Sequence, residues 1–298
     1  MNIGFSSYCF GSRMATGEMT IGDVIRWIGE TGGNHMELAS LSLTPRGEDT
    51  AWNLGDHADI LDEMGTASRE TGVVLSGICI PANFLGDRED RLRQIARTKQ
   101  YVDLCDRLGV RFLRHDVTDW GHKPKDIAEV EAGMPVLVDA SAEIADYAAR
   151  FGVTTSIENH GFFMNGSERV QRLIHDVDRP NFRTTIDVGN FLCVDEDPLI
   201  ATERNLPVAS FVHLKDFYIR PRSNNPGEGW LETLGRNYLL GSIVGYGDMD
   251  TRGILGAIVA SGYDGFVSIE FEGNEDCLFA CATGLANIRR ILSEIGAR

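Results

Sequence analysis

The sequence predicts an α/β protein, a single (β/α)8 barrel over residues 1–298 with a long loop after the seventh strand. Three observations carry this. Eight short β-like runs alternate with eight helical ones, which requires parallel strands joined by crossover helices. No G-x-G-x-x-G follows the first strand, as an open dinucleotide-binding sheet would usually have. Polar residues gather at the C-terminal ends of successive strands, where a barrel builds its site.

The strands are read at Asn2–Ser7, Asn34–Leu38, Val73–Ile80, Val110–His115, Val153–Glu158, Arg183–Asp187, Ser210–Leu214 and Gly265–Phe271. Most are rich in Val, Ile, Phe and Thr. Gly72, Gly109, Gly152 and Gly262 stand where a preceding helix should end. The helices are read at Ile21–Thr31, Asp56–Thr71, Arg88–Leu108, Pro135–Phe151, Ser167–Asp176, Pro198–Asn205, Thr251–Ser261 and Asp276–Ile295. The segment Phe217–Asp250 is rich in Gly, Asn and Pro, and a connection of that length inside a domain is usually functional.

Composition narrows the function. With 28 Lys+Arg against 44 Asp+Glu the net charge is −16, which argues against a nucleic-acid partner. The N-terminus has no signal-peptide pattern, and no apolar run approaches the roughly 18 residues that span a membrane. The expectation is a cytoplasmic protein acting on a small molecule. Six cysteines with no C-x-x-C pair read as free thiols in a reducing compartment.

Four consecutive strand ends carry the chemistry. Strand five ends in SIENHG with Glu158, strand six in TIDVGN with Asp187, strand seven in VHLKD with His213 and Lys215, and strand eight in SIEFEG with Glu270 and Glu272. Residues two apart share a strand face, so these side chains converge on one half of the mouth. Carboxylates so close repel one another unless a cation joins them. Glu158, Asp187, His213 and Glu270 therefore form a candidate set for one divalent cation. An oxygen-rich set with a single imidazole suits Mn²⁺ best, with Mg²⁺, Co²⁺ or Zn²⁺ as alternatives.

These motifs resemble the xylose-isomerase-like TIM-barrel superfamily, in its branch of sugar-phosphate isomerases and epimerases. The same superfamily includes AP-endonuclease family 2. The resemblance implies that Glu158, Asp187, His213 and Glu270 hold the metal and that Glu158 and Glu270 are the catalytic acid/base pair. The implied reaction is isomerisation or epimerisation of a sugar or keto-sugar, phosphorylated or not. It proceeds by α-proton abstraction to an enediolate stabilised by the cation. DNA-repair members carry additional histidines, one three residues after the strand-six Asp. Here that position is Asn190, and Phe217–Asp250 holds no histidine.

Substrate contacts are expected from His160, Asn190, Lys215, Arg114 and Arg222. His160 is a candidate auxiliary base. Arg114 and Asp116 are expected to position Glu158, to touch substrate, or to pair with each other. Lys215 either binds a substrate oxygen or pairs with Asp216 or Glu272. Arg220, Arg222 and Arg236 either grip an anion or balance nearby acids. Trp52 and Phe84 either wall the pocket or fill the core. The stretch from NPGEGW to GYGDMD also resembles the alpha subunits of C-glycoside deglycosidases, which implies a lyase acting on 3-oxo-glycosides. A non-catalytic sugar-binding barrel is the reading from another class. Relatives of this type are often homo-oligomers.

Overall fold

A computed structural model describes residues 1–45, 47–48 and 52–297. Eight parallel strands close into a barrel: β1 (Asn2–Ser6), β2 (His35–Ala39), β3 (Val74–Ile80), β4 (Phe112–His115), β5 (Thr154–Glu158), β6 (Phe182–Asp187), β7 (Ala209–Leu214) and β11 (Phe266–Ile269). β1 pairs with both β2 and β11, which closes the ring.

The outer layer comprises the short α1 (Gly11–Ala15), then α2 (Ile21–Thr31), α3 (Ala58–Thr71), α4 (Arg88–Leu108), α5 (Ile127–Ala149), α6 (Ser167–Val177), α7 (Pro198–Asn205), α8 (Thr251–Ala260) and α9 (Cys277–Glu294). α2 shows the local logic. Thr20 and Asp23 form a capping box, and Ile21, Val24, Ile25 and Ile28 turn one apolar stripe onto the barrel. The four expected helix-ending glycines all take positive φ.

Two expectations need correction. α5 begins eight residues before Pro135, because Asp126 caps it by accepting from Glu129 N, and Pro135 lies inside the helix. A helix opening at Pro135 would place the proline in its first turn. The long loop after β7 is also ordered further: β8 (Asp216–Arg220), β9 (Leu231–Glu232) and β10 (Tyr238–Ser242) form an antiparallel sheet in the order β8-β10-β9. Asp216 fixes its base by accepting from Phe217 N, Gly245 N, Gly247 N and Thr251 Oγ1. Asp195 holds its far end through Thr233 Oγ1 and Asn237 Nδ2.

Period-two alternation stacks the lumen in layers. Phe112, Phe211, Phe266 and His35 form an aromatic floor, with Phe211 and Phe266 stacked at 5.8 Å. Two residues further along the same strand faces come Glu37, Arg114 and His213, and beyond these Asp116 and Lys215. The site is therefore the upper layer of a core whose lower layer is hydrocarbon. All six cysteines are buried and free. No described helix is long and apolar enough to cross a membrane.

Candidate metal centre and active site

Glu158, Asp187, His213 and Glu270 each place one ligand atom so that all four lie within 4.8 Å of one another, and all are buried. The convergence follows from register, since Asp187 pairs with His213 across β6 and β7, and His213 with Ser268 across β7 and β11.

Asp187 commits one oxygen to the backbone and turns the other to Lys215. Oδ1 accepts from Gly189 N (2.9 Å) and Asn190 N (2.8 Å), which shapes the turn after β6. Oδ2 is buried without a hydrogen-bond partner and faces Lys215 Nζ at 2.9 Å. Burial, with Glu158 and Glu270 nearby, pushes its carboxyl up to about 7 against the pull of Lys215.

His213 turns Nε2 to Glu37 Oε2 at 2.7 Å and Nδ1 toward Glu158 (3.5 Å), Glu270 (3.8 Å) and Asp187 (3.9 Å). Burial opposes its charge, but Glu37, Glu270 and Glu158 outweigh burial and raise the imidazole well above its ordinary value. Nδ1 of His213 has no hydrogen bond and stands among three carboxylates, and this donor set fits a cation.

Glu158 is the most constrained carboxylate. Oε2 pairs with Arg114 at 2.7 Å, and Oε1 accepts from Asn190 Nδ2 at 2.8 Å. Burial would raise it, yet the Arg114 guanidinium and His213 hold it well below the usual range. Arg114 also pairs with Asp116 at 2.8 Å, so it both positions Glu158 and pairs with its neighbour. His160 Nδ1 lies 2.9 Å from Asp116 Oδ1; burial lowers it, but Asp116 prevails and raises it.

Lys215 is 3% exposed at the side chain and pairs with Asp187, Glu270 (2.8 Å) and Glu272 (3.1 Å). Burial is overcome by these carboxylates, and its ammonium is raised well above its ordinary value. Gly189 makes this possible, because a Cβ there would stand 2.6 Å from Lys215 Cγ. Glu270 is held low by Lys215 and His213 against burial.

The site opens into a cavity of about 460 Å³ lined by Glu158, His160, Asn190, His213, Glu270 and Glu272, and by an apolar wall that includes Tyr8, Leu41 and Trp120. Gly161, at φ +65, lets the Trp120 carbonyl approach to where a Cβ would be only 2.2 Å away, which anchors the Trp120 loop.

One expectation is not met, and several stated alternatives are decided. Arg222 is exposed on the ribbon and does not line the cavity. Arg220 pairs with Asp248, and Arg236 with Glu232, so neither is available to grip an anion. Lys215 pairs with Glu272 but not Asp216, whose carboxylate is taken by the ribbon. Trp52 and Phe84 are buried in the core and do not line the cavity. Sequence reasoning missed Glu37, which also accepts from Cys79 Sγ at 2.9 Å. The one available signal was an acid inside the apolar strand HMELA, at a position two residues from His35.

Comparison with known proteins fits this architecture. Residues 25–290 match the family described as xylose isomerase-like TIM barrel. The inosose dehydratase of Geobacillus thermodenitrificans (strain NG80-2) is 25% identical over 145 residues, and the match spans 48% of this chain and 48% of that protein. The crystal structure of 3-keto-D-glucoside 4-epimerase YcjR from E. coli superposes with a TM-score of 0.71 at 18% identity, covering 97% of this chain and 99% of that one. A xylose isomerase-like TIM barrel protein from Mycobacterium smegmatis, in complex with magnesium, gives 0.68 at 19% identity, covering 92% and 88%. The chain belongs to the xylose isomerase-like TIM-barrel family.

Proposed function

We propose that the protein is a divalent-metal-dependent isomerase or epimerase of a sugar or keto-sugar, acting by removal of a proton next to a carbonyl. The observation that carries this reading is the placement of Glu158 and Glu270 at one cavity, around the same four-residue set. Glu158, Asp187, His213 and Glu270 would hold the cation, for which Mn²⁺ is our expectation. The cation would supply Lewis-acid polarisation of a substrate carbonyl, lowering the pKa of the adjacent C–H.

The rest falls to the chain's own side chains. Both oxygens of Glu158 are engaged, by Arg114 and Asn190, so Glu158 is rigid and weakly basic. Glu270 is the freer carboxylate and takes the proton, while Lys215, which does not line the cavity, pairs with it and steadies it. Glu158 is the other member of the acid/base pair, and on its side His160, backed by Asp116, assists by holding a proton for return to the opposite face of the substrate. Asn190 presents its amide to a hydroxyl. Residues 1–298 act as one domain on a small sugar, with no nucleic acid or membrane involved.

A second reading is a lyase, including the C-glycoside-deglycosidase type. It shares the abstraction and then expels a neighbouring group, which His160 would protonate. The partial match to an inosose dehydratase favours keeping it. A non-catalytic sugar-binding barrel is the least supported, since it has no use for the buried carboxylates.

The test is deuterium wash-in: the Mn²⁺-loaded protein in D₂O with ketoses, ketose phosphates, an inosose and 3-oxo-glycosides, read by NMR and mass. Deuterium beside a carbonyl in recovered sugar supports the epimerase or isomerase, and an unsaturated product supports the lyase. Sugar binding without exchange in any substrate would overturn both.

A further inference from the structure

The balance of charge in the cavity speaks to the substrate. Five carboxylates, Asp116, Glu158, Asp187, Glu270 and Glu272, pair with two permanent cations, Arg114 and Lys215, and a sixth, Glu37, pairs with His213. Each cation is already shared among carboxylates: Arg114 between Asp116 and Glu158, Lys215 among Asp187, Glu270 and Glu272. The two histidines also face acids, His213 toward Glu37 and His160 toward Asp116. Among the described residues lining the cavity, Arg114 is the one Lys or Arg side chain. A phosphate or carboxylate on the substrate would therefore find no spare Arg or Lys fork to receive it, since the one lining guanidinium is already shared by two carboxylates.

The outer part of the cavity has the opposite character. Tyr8, Leu41 and Trp120 come from the loops after β1, β2 and β4, and each is 42–43% exposed. Leu231 closes the far side from the ribbon. Exposed large apolar side chains from separate loops, continuous with a polar floor, fit a ligand that is polar at one end and apolar at the other.

We infer that the substrate is an uncharged sugar, not a phosphate or uronate, and that it carries a hydrophobic substituent lying against Tyr8, Leu41 and Trp120. This rests on the keto-sugar reading for the orientation of the sugar end.

The test compares binding of methyl 3-oxo-glucoside, phenyl 3-oxo-glucoside and 3-oxo-glucose 6-phosphate to the Mn²⁺-loaded protein by calorimetry. The phenyl compound should bind about tenfold tighter than the methyl one, and the phosphate at least tenfold weaker. In Trp120→Ala and separately in Leu41→Ala the phenyl-to-methyl ratio should fall toward one. A phosphate that binds as tightly as the methyl glycoside, or a phenyl group that brings no gain, overturns the inference. Deuterium exchange without phenyl preference removes this inference alone. Phenyl preference without exchange removes the enzymatic reading and leaves the ligand class standing.

Discussion

Two histidines share the lumen of this barrel at different depths and are used in opposite ways. His35, at the floor, bonds Ser76 Oγ at 2.8 Å through Nδ1 and Val267 O at 3.1 Å through Nε2, among Phe211 and Phe266. Burial lowers it to about 4, so it is neutral and structural. His213, one layer higher, is just as buried but faces carboxylates on both edges of its ring, and it is raised. Depth of burial does not separate them; what the ring nitrogens face does. The floor satisfies its polar atoms and is finished. The upper layer gathers carboxylates around Arg114, Lys215 and His213 and leaves His213 Nδ1 without a hydrogen bond, an arrangement suited to a ligand.

The largest expected effect lies in the upper layer. Glu270→Gln should lower the rate of solvent exchange into substrate by about 10³-fold, measured by NMR under saturating Mn²⁺. A residual rate within tenfold of the parent would remove Glu270 as the base.

The floor should respond in stability instead. Phe211→Ala removes a ring packed on Phe112, Phe266 and His35 and should cost about 3–5 kcal/mol in urea unfolding. Glu270→Gln should cost the metal-free protein less than Phe211→Ala does, since it gives up the pairing with Lys215 but opens no cavity. If both variants lose stability equally, the division between floor and site is wrong.

Glu37 tests the link between the layers. Glu37→Gln should weaken Mn²⁺ binding by about 10–100-fold while leaving the fold intact, because Glu37 orients His213 through Nε2. Unchanged affinity by calorimetry would make Glu37 a mere packing residue.

The metal-linked protons give a pH dependence. Asp187 is raised to about 7, so the metal-free folded protein holds a proton there that the unfolded chain has lost above its ordinary 3.8. Its contribution to stability therefore falls as pH rises through that window. His213, also raised, contributes stability below its ordinary 6.5 that is lost as pH rises through its folded value. Cation binding needs both groups deprotonated and so releases protons. The Mn²⁺-induced gain in Tm should be larger at pH 8 than at pH 5.5, with a slope of about 1.36 kcal/mol per pH unit for each proton released. A gain that shrinks with pH would contradict the assignment.

Much of this was legible in the sequence, for reasons that differ by residue. The four candidate ligands sit at strand C-termini, and a strand's period of two tells which side they face, so Glu158, Asp187, His213 and Glu270 could be grouped without coordinates. Asn190 and Arg114 were legible as neighbours of those positions. Glu37 was not, because its role depends on a partner 176 residues away in sequence and across the lumen. Tyr8, Leu41 and Trp120 look like ordinary core candidates until the loops are placed. Pro135 misled because a proline ordinarily opens a helix, whereas here the Asp126 cap opens it earlier. The ribbon after β7 was hidden by its Gly and Asn content, its strands being held by Asp195 and Asp216 from outside the sheet or at its edge.

The most direct test of the central claim is a Mn²⁺ titration followed by electron paramagnetic resonance on the parent and on Asp187→Asn. One tightly bound ion per chain in the parent, with at least a tenfold loss of affinity in Asp187→Asn, is the predicted result. No specific ion in the parent, or equal affinity in both proteins, would contradict the account.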